Sequence, residues 1–139
     1  MNYRLTESPS PQEKDEIFRE LLRYNLAHLE NKDARDLAIF LEDESGNKTA
    51  GLIGDTHGNW LEVEYLWVSE KMRGRKIGTE LVQKAESFAM ERGCKYVFLN
   101  TFGFQAPRFY EKLGYVEKFV LKEYPVSGTR HYYTKSLVK

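Results

Sequence analysis

The sequence predicts a single mixed α/β domain that spans residues 1–139. Segments with the two-residue period of a strand alternate with segments of helical period, in the order β-α-β-β-β-α-β-α-β-β. A helix separates the apolar segment "WLEVEYLWV" from the apolar run "KYVFLNTF", so those two strands should run parallel. The length of 139 residues suits one domain with its own core, and no linker interrupts it.

Composition argues against several classes of partner and site. Hydrophobic residues make up 41% and charged residues 30% of the chain, and the formal net charge is +0. A neutral chain has no general attraction for nucleic acid or membrane, and no apolar run is long enough to cross a bilayer. The single cysteine, Cys94, allows no internal disulfide, and the histidines lack metal-ligand spacing. We therefore expect a cytoplasmic protein without a metal, a nucleic-acid partner or a membrane partner.

The N-terminal elements are predicted to be a short strand and a long helix. Residues 2–8 read as a strand, and Ser10 follows in the position of a helix cap. Pro11 occupies the first helical position, and Glu13 completes a capping box with Ser10. The helix carries an apolar stripe formed by Ile17, Phe18, Leu21, Leu22 and Leu29.

Residues 35–70 predict a meander of three strands, with turns at residues 45–47 and 57–59. Gly51 and Gly54 in the middle strand indicate a bulge or a close approach between backbones. In the third strand, strict alternation places Leu61, Val63, Tyr65 and Trp67 on one face and Glu62, Glu64, Leu66 and Val68 on the other.

The C-terminal half predicts two more helices and three more strands. A helix begins at Ile77 and stops at Gly93, and a strand buried on both faces follows it. A short helix then begins near Pro107 and ends before Gly114, and two strands joined around residues 125–129 complete the chain. The longer helix presents Ile77, Leu81, Val82, Ala85, Phe88 and Ala89 on one face.

A basic turn lies where the longer helix begins. Arg73, Arg75 and Lys76 accompany two glycines, Gly74 and Gly78. A helix start has free backbone N–H groups and a positive dipole end, and glycine admits close approach of a ligand, so the turn is a candidate phosphate cradle. It is neither a Walker motif nor a dinucleotide fingerprint. The alternative is a basic helix start that contacts only solvent.

The turn resembles motif A of the GCN5-related N-acetyltransferases (GNATs), Arg/Gln-x-x-Gly-x-Gly/Ala, which binds the pyrophosphate of acetyl-coenzyme A (acetyl-CoA). It matches at Arg73 and Gly78, whereas Lys76 stands at the middle glycine of the family. Gly103 stands where the family often has an asparagine. The segment "APRFYEKLGY" resembles the motif that closes the coenzyme site, with matches at Ala106, Phe109, Tyr110, Gly114 and Tyr115.

The resemblance implies the GNAT fold, in which the two parallel strands splay apart, and direct transfer of acetyl from acetyl-CoA to an amine. It implies that the backbone of Leu66, Trp67 and Val68 holds the pantetheine arm and the thioester. The two motifs supply the other coenzyme-binding residues that it implies, namely Arg73, Gly74, Arg75, Lys76, Ile77, Gly78, Thr79, Phe109 and Tyr110.

Three side chains are candidates for the proton transfers of such a reaction. The acceptor amine must lose a proton, and family members that use a glutamate base often have it on the strand of Glu62 and Glu64. Two carboxylates on one face could raise the pKa of one of them, although both could simply face water. Tyr110 matches the tyrosine that many members place beside the sulfur, where it protonates the thiolate. The alternative for Tyr110 is a core side chain.

The acceptor itself is left open between a small-molecule amine and a peptide amine, and a homodimer is also left open. Two rival functions use the same fold: a module that binds coenzyme A without catalysis, and a protein-interaction domain. The acceptor should meet the first helix, the turn at residues 57–60 and the loop "YPVSGTRHYY". Those regions contain Glu30, Trp60, Tyr124, Arg130 and His131.

Overall fold

The computed structural model describes residues 1–30 and 33–138. Contacts divide the chain into two units, one that ends before Asp33 and one that begins there, and each is described by itself. The first unit contains α1 (Pro11–His28). The second contains β1 (Ala34–Glu42), β2 (Lys48–His57), β3 (Trp60–Val68), a 3-10 turn (Glu70–Met72), α2 (Ile77–Glu91), β4 (Tyr96–Phe102), α3 (Pro107–Lys112), β5 (Val116–Lys122) and β6 (Thr129–Ser136).

The predicted capping box of α1 is confirmed. The Ser10 hydroxyl accepts a hydrogen bond from the Glu13 N–H at 3.0 Å, and the Glu13 carboxylate accepts one from the Ser10 N–H at 3.0 Å. The predicted strand at residues 2–8 is wrong, because this segment is irregular in the structure. A strand needs a partner for its backbone groups, and the described part of the first unit contains no other strand. The Arg4 side chain instead forms an ion pair with Glu13.

The second unit is a six-stranded mixed sheet in the order β1-β2-β3-β4-β6-β5. Only β3 and β4 are parallel among the strand pairs of the described residues, and the other neighbours are antiparallel. The predicted α/β class with one parallel strand pair is confirmed, although the sheet has six strands rather than seven because the first predicted strand does not form.

One face of the sheet is buried against α2. Apolar side chains of β2, β3 and β4 meet those of α2, because strand alternation and the helical period each direct one set inward. Phe88 was predicted on the buried face of α2, but it is 50% exposed. The buried arc of the helix is displaced toward Glu86, which leaves Phe88 at its margin. The core members from these elements are Ala50, Leu52, Leu61, Val63, Leu81, Val82, Ala85, Ala89, Val97 and Leu99.

Glu86 is a buried carboxylate within that core, 7% exposed. It accepts a hydrogen bond from the Tyr115 hydroxyl at 2.8 Å and is paired with Lys135 Nζ at 3.1 Å. Because both partners are present, this buried charge is compensated and links α2 to the segment after α3 and to β6.

A β-bulge interrupts the pairing of β2 with β3, as Gly54 suggested. Ile53 pairs with Tyr65 but Gly54 pairs with Val63, so Glu64 is the extra residue. A Cβ at Gly54 would lie 2.3 Å from the Glu62 carbonyl oxygen, so only glycine fits this close approach.

The bulge makes the predicted alternation of β3 wrong beyond Glu64. The extra residue shifts the later side chains by one position, so Leu66 and Val68 pack against the core. Tyr65 and Trp67 are exposed instead, at 67% and 51%.

Across residues 1–30 and 33–138, no helix combines the length and the apolar character needed to span a membrane.

Candidate active site

The candidate site is a cleft where the parallel strands separate. β3 and β4 pair only from Trp60–Tyr96 to Val63–Leu99, although both strands continue beyond that point. A cleft of about 990 Å³ opens between their C-terminal ends. The turn before α2 and the residues around the start of α3 complete its walls. The splayed strand pair that the family resemblance implied is therefore present.

The basic turn forms one end of this cleft. α2 begins at Ile77, and no side chain of the described residues caps its first N–H groups. These groups remain available to a ligand, and the positive end of the helix dipole favours an anion there. Gly74 and Lys76 both adopt left-handed backbone conformations, with φ of 80° and 61°. Lys76 therefore has the conformation that a glycine at this position would adopt without strain.

Gly78 lets α2 approach the opposite walls of the cleft. A Cβ on Gly78 would lie 3.2 Å from the Phe109 ring and 3.8 Å from Val68 Cγ2. The Arg73 side chain also joins the turn to β3, because its Nε donates to the Val68 carbonyl oxygen at 3.3 Å. The turn, β3 and α3 are thus held close together around the start of α2.

Most of the coenzyme-binding residues that the sequence suggested line this cleft. Arg75 is exposed and is not among the lining residues. Glu64 lines the cleft, whereas Glu62 lines a separate, shallower pocket. The suggested residues that do line the cleft are Leu66, Trp67, Val68, Arg73, Gly74, Lys76, Ile77, Gly78, Thr79, Phe109 and Tyr110.

Sequence reasoning missed the contribution of the end of β4 and the loop after it. Asn100, Thr101, Phe104 and Gln105 line the cleft as well. The apolar pattern of "KYVFLNTF" indicated only a buried strand. The polar pair Asn100 and Thr101 at its C-terminal end was the available signal, because ligands of α/β sheets bind beyond the carboxyl ends of strands.

Tyr110 lines the cleft although its side chain is only 7% exposed. Its ring packs against those of Phe109, Tyr115 and Tyr133, at centroid distances of 5.0, 5.8 and 6.3 Å. No hydrogen bond to its hydroxyl is found within the described residues, and no fully buried side-chain oxygen there lacks a partner, so the hydroxyl retains solvent access. Burial raises the pKa of Tyr110 to about 12, so the hydroxyl carries its proton at neutral pH.

Glu62 and Glu64 belong to a group of neighbouring carboxylates. Burial raises the pKa of Glu62, and the charge of Asp55, its cross-strand neighbour, raises it further. Burial also raises the pKa of Glu64, and so do a hydrogen bond with Asp55 and the charges of Asp55, Glu62 and Asp36. Glu62 shares its pocket of about 400 Å³ with Asp55, His57, Trp60 and Phe98. Like charges held together in this way favour protonation of one member.

The structure explains why Gly103 replaces the asparagine that the family often has. The Gly103 N–H donates to the Thr129 carbonyl oxygen at 2.9 Å, which brings the two backbones together. A Cβ on Gly103 would lie 2.2 Å from Thr129 Oγ1, so a side chain at this position would require the Thr129 side chain to move.

Cys94 lies outside the cleft, directly after the C-terminal end of α2, and is 4% exposed. Burial raises the pKa of its thiol, which disfavours the thiolate that a covalent acetyl-enzyme would need. Within residues 1–30 and 33–138, no group of three acidic, histidine or cysteine side chains is placed to hold a metal ion.

Comparison with known proteins gives a consistent result. The model of a family described as Acetyltransferase (GNAT) family matches residues 2–115. Acetyltransferase Atu2258 of Agrobacterium fabrum is 36% identical over 117 residues, which cover 84% of this chain and 85% of that protein. Blasticidin-S acetyltransferase of Streptomyces morookaense is 36% identical over 109 residues, which cover 76% and 80%. A crystal structure from Agrobacterium tumefaciens superposes with a TM-score of 0.92 at 32% identity and covers 99% of this chain and 100% of that one.

Proposed function

The chain belongs to the acetyltransferase (GNAT) family, and we propose that it transfers acetyl from acetyl-CoA directly to an amine within a ternary complex. The observation that carries the proposal is the cleft between the splayed ends of β3 and β4. The uncapped start of α2 lies at this cleft together with Glu64 and Tyr110. One cavity thus offers an anion site, a carboxylate and a protonated phenol.

The start of α2 is the proposed site of the coenzyme pyrophosphate. Its free N–H groups and dipole suit a phosphate, and Gly78 adds no side chain to this turn. Arg73 and Lys76 line the same end of the cleft and add positive charge, whereas Arg75 does not line the cleft. The single free cysteine, Cys94, is compatible with a reducing cytoplasm, which is the proposed location.

The thioester is proposed to lie along the end of β3. The ladder with β4 stops at Val63–Leu99, so the edge of residues 66–68 that faces β4 is open to an extended ligand. A pantetheine arm can pair with an open strand edge as another strand would. A backbone N–H of this segment then stabilises the negative charge that develops on the carbonyl oxygen.

Glu64 is the proposed general base. The acceptor nitrogen must be unprotonated before it can attack, and an alkylammonium has an ordinary pKa of about 10.4. Glu64 lines the cleft and Glu62 does not, so Glu64 is the better placed of the two. Its raised pKa makes its carboxylate a stronger base than an ordinary glutamate.

Tyr110 is the proposed general acid. The bound ammonium first loses one proton to solvent. The neutral amine nitrogen then attacks the thioester carbon, the C=O electrons move to oxygen, and Glu64 takes the second proton from the nitrogen. The intermediate then re-forms the C=O bond and breaks the C–S bond. The sulfur leaves with the electron pair and takes the proton of the Tyr110 hydroxyl, which solvent later restores. A hydroxyl that keeps its proton at neutral pH and has no hydrogen-bond partner among the described residues suits this step.

The proposed acceptor is a small-molecule amine. Asp36, Asp55, Glu62 and Glu64 create negative potential beside the cleft, which attracts a positively charged amine. One relative at 36% identity is named for acetylation of blasticidin S, which supports a small molecule over a peptide for this chain.

A two-part experiment tests the proposal. Calorimetry with acetyl-CoA measures binding, and release of free thiol in the presence of a panel of small and peptide amines measures transfer. We expect micromolar or tighter coenzyme binding and thiol release that depends on the amine. Binding without release in any mixture would indicate a silent coenzyme A module. Absence of binding would indicate an interaction domain.

A further inference from the structure

Arg130 is held beside the cleft by a set of contacts that an ordinary surface arginine lacks. Its Nε donates to Asn100 Oδ1 at 2.7 Å, and its Nη1 donates to the Tyr124 hydroxyl at 2.8 Å. Its Cζ lies 5.2 Å from the ring centroid of Tyr124 and 5.7 Å from those of Phe102 and Tyr132. The guanidinium is therefore fixed in orientation and partly removed from water, and its side chain is half-buried.

No carboxylate compensates this charge within residues 1–30 and 33–138. Four other arginines, Arg4, Arg19, Arg23 and Arg35, each pair with an acidic side chain. A guanidinium has five N–H donors and stays charged at every relevant pH, and two of these donors are occupied here. The aromatic rings offset part of the lost hydration. The remaining donors bond to no protein group among the described residues and face solvent.

The position of Arg130 connects it to the cleft. Asn100, which orients the guanidinium, lines the cleft directly. Phe104 lines the cleft and stacks on Phe102 at 5.2 Å. Phe102 is also the cross-strand neighbour of Arg130. The guanidinium therefore lies one side chain away from the cleft wall, at the end of β4 where the strands have separated.

Strand register places Arg130 on the same face of the sheet as Glu62. Glu62 pairs with Phe98 of β4, and Arg130 pairs with Phe102 of the same strand. Phe98 and Phe102 are four positions apart, so all four side chains lie on one face of the sheet, the face away from α2. Four strand positions correspond to about 13 Å. One face of the sheet thus presents carboxylates near one end of the acceptor region and an uncompensated cation near the other.

We propose that Arg130 binds an anionic group of the acceptor, and that this group is a carboxylate. The proposal rests on the amine acetylation proposed above and names a second recognised group on the substrate. The open side of a guanidinium fork matches the planar pair of oxygens of a carboxylate, and one positive charge balances one negative charge. Glu64 lies on β3 and Arg130 on β6, and these strands flank β4 on opposite sides. A chain must therefore join the amine to the carboxylate, and an α-amino acid is too short.

A purely structural role for Arg130 predicts different behaviour. Its contacts join β4, β6 and the segment of Tyr124, so its loss could lower stability. Such a loss would affect all acceptors equally. Recognition of a carboxylate instead makes the effect of Arg130 depend on the charge of the acceptor, which the following comparison measures.

The test uses matched acceptors that differ only in the carboxylate: γ-aminobutyrate against γ-aminobutyramide, and ε-aminocaproate against ε-aminocaproamide. The quantity is the ratio of kcat/KM for the acid to that for the amide. We expect a wild-type ratio of roughly 10 or more for at least one pair, since a hydrogen bond to a charged group contributes about tenfold or more. We expect the ratio to approach one in Arg130→Gln. Lys118→Gln removes an exposed charge from β5 and should leave the ratio unchanged.

Several outcomes would overturn the inference. A wild-type ratio at or below one for both pairs does so, and so does an Arg130→Gln ratio equal to that of the wild type. If Arg130→Gln fails to fold, the wild-type ratio of kcat/KM for the acid to that for the amide decides whether a carboxylate is recognised. If no amine is acetylated, the proposed function fails separately. The inference is then decided by calorimetric binding of ε-aminocaproate and ε-aminocaproamide to the coenzyme-loaded protein, where equal affinity contradicts it.

Discussion

At the scale of single residues, the cleft holds two side chains whose pKa values suit the opposite protonation roles proposed for them. Burial keeps Tyr110 protonated, with a pKa of about 12, so its hydroxyl can donate. Burial and three neighbouring carboxylates raise the pKa of Glu64, so its carboxylate accepts a proton more readily. An acid and a base with separated pKa values in one cleft are the arrangement that acyl transfer to an amine requires.

Replacing Tyr110 with phenylalanine tests the acid directly. Tyr110→Phe keeps the ring and its packing against Phe109, Tyr115 and Tyr133, and removes only the hydroxyl. We expect unchanged acetyl-CoA affinity and a single-turnover rate lower by roughly 10²-fold. The loss should shrink with a thioester whose thiol is more acidic. Tyr96→Phe, whose ring packs on Trp60 outside the cleft, is the control. An undiminished rate in Tyr110→Phe would assign protonation to water.

Replacing each glutamate in turn tests whether Glu64 or Glu62 is the general base. Both pKa values are raised in the folded protein, so the folded state binds protons more tightly than the unfolded state. Stability should therefore fall as pH rises from the ordinary glutamate pKa through the raised one. We expect Glu64→Gln and Glu62→Gln each to weaken this pH dependence and to increase stability at pH 7. Only Glu64→Gln should reduce the acetylation rate.

Urea titrations at several pH values measure the pH dependence of stability, and single-turnover experiments measure the acetylation rate. The rate of the wild type should rise with pH through the raised pKa, because the base acts in its deprotonated form. If Glu62→Gln abolishes the rate and Glu64→Gln does not, the base is Glu62. If neither changes the rate, the carboxylates only attract the acceptor.

Lys76 has a strained backbone conformation and a positive charge. Two variants distinguish the effect of the strain on stability from the effect of the charge on coenzyme binding. Its left-handed φ of 61° costs a side-chain-bearing residue about 1–2 kcal/mol, and glycine avoids that strain. Lys76→Gly should leave the free energy of unfolding unchanged or raise it by up to about 1 kcal/mol, and should weaken acetyl-CoA binding. Lys76→Gln should weaken binding to a similar degree without the gain in stability. Full coenzyme affinity in both variants would mean that this side chain makes no phosphate contact.

At the scale of elements, short sequence motifs predicted the features that depend only on neighbouring residues. The capping box of α1 needs only Ser10, Pro11 and Glu13, and it forms as predicted. Gly54 indicated the bulge in β3, but it did not indicate how the bulge changes the side-chain alternation of that strand. Which side chains face the core beyond Glu64 depends on the register with β2, and the extra residue reverses the alternation that the sequence suggested.

Ser10→Ala tests the element that the sequence predicted best. Removing the hydroxyl leaves the Glu13 N–H without its side-chain acceptor at the start of α1. We expect α1 to lose about 1 kcal/mol of stability, seen as a lower urea midpoint of the far-ultraviolet circular dichroism signal. Ser8→Ala removes an exposed hydroxyl before the helix and should leave the midpoint unchanged. An unchanged midpoint in Ser10→Ala would contradict a stabilising cap.

At the scale of the whole molecule, every residue that lines the cleft lies in the unit that begins at Asp33. The two sequence motifs located the start of α2 and α3 within this unit. They could not reveal that Gly103 contacts Thr129, or that Arg130 is oriented by Asn100. Such pairs are about 30 positions apart in the sequence and meet only when β4 and β6 align, so no local pattern records them.

If acetyl-CoA binds in the cleft of the folded protein as proposed, it should stabilise the whole unit around that cleft. Acetyl-CoA at about 100 times its dissociation constant should raise the free energy of unfolding by about 2.7 kcal/mol, seen as an increase of several degrees in Tm. Pantetheine lacks the pyrophosphate and should have a much smaller effect at the same concentration. Pantetheine also lacks the adenosine, so this contrast measures the combined contribution of the coenzyme phosphates and the adenosine to binding.

Gly78→Asp should remove most of that stabilisation, because it places a carboxylate among the free N–H groups of α2 and a Cβ 3.2 Å from the Phe109 ring. Gly78→Ala adds the same Cβ without the charge, so it isolates the steric part. We expect acetyl-CoA to stabilise Gly78→Ala less than the wild type and Gly78→Asp hardly at all. The unliganded variants should differ less from each other, since an aspartate in the first turn favours the helix. An equal rise in Tm for the wild type and Gly78→Asp would place the coenzyme phosphates away from this helix start.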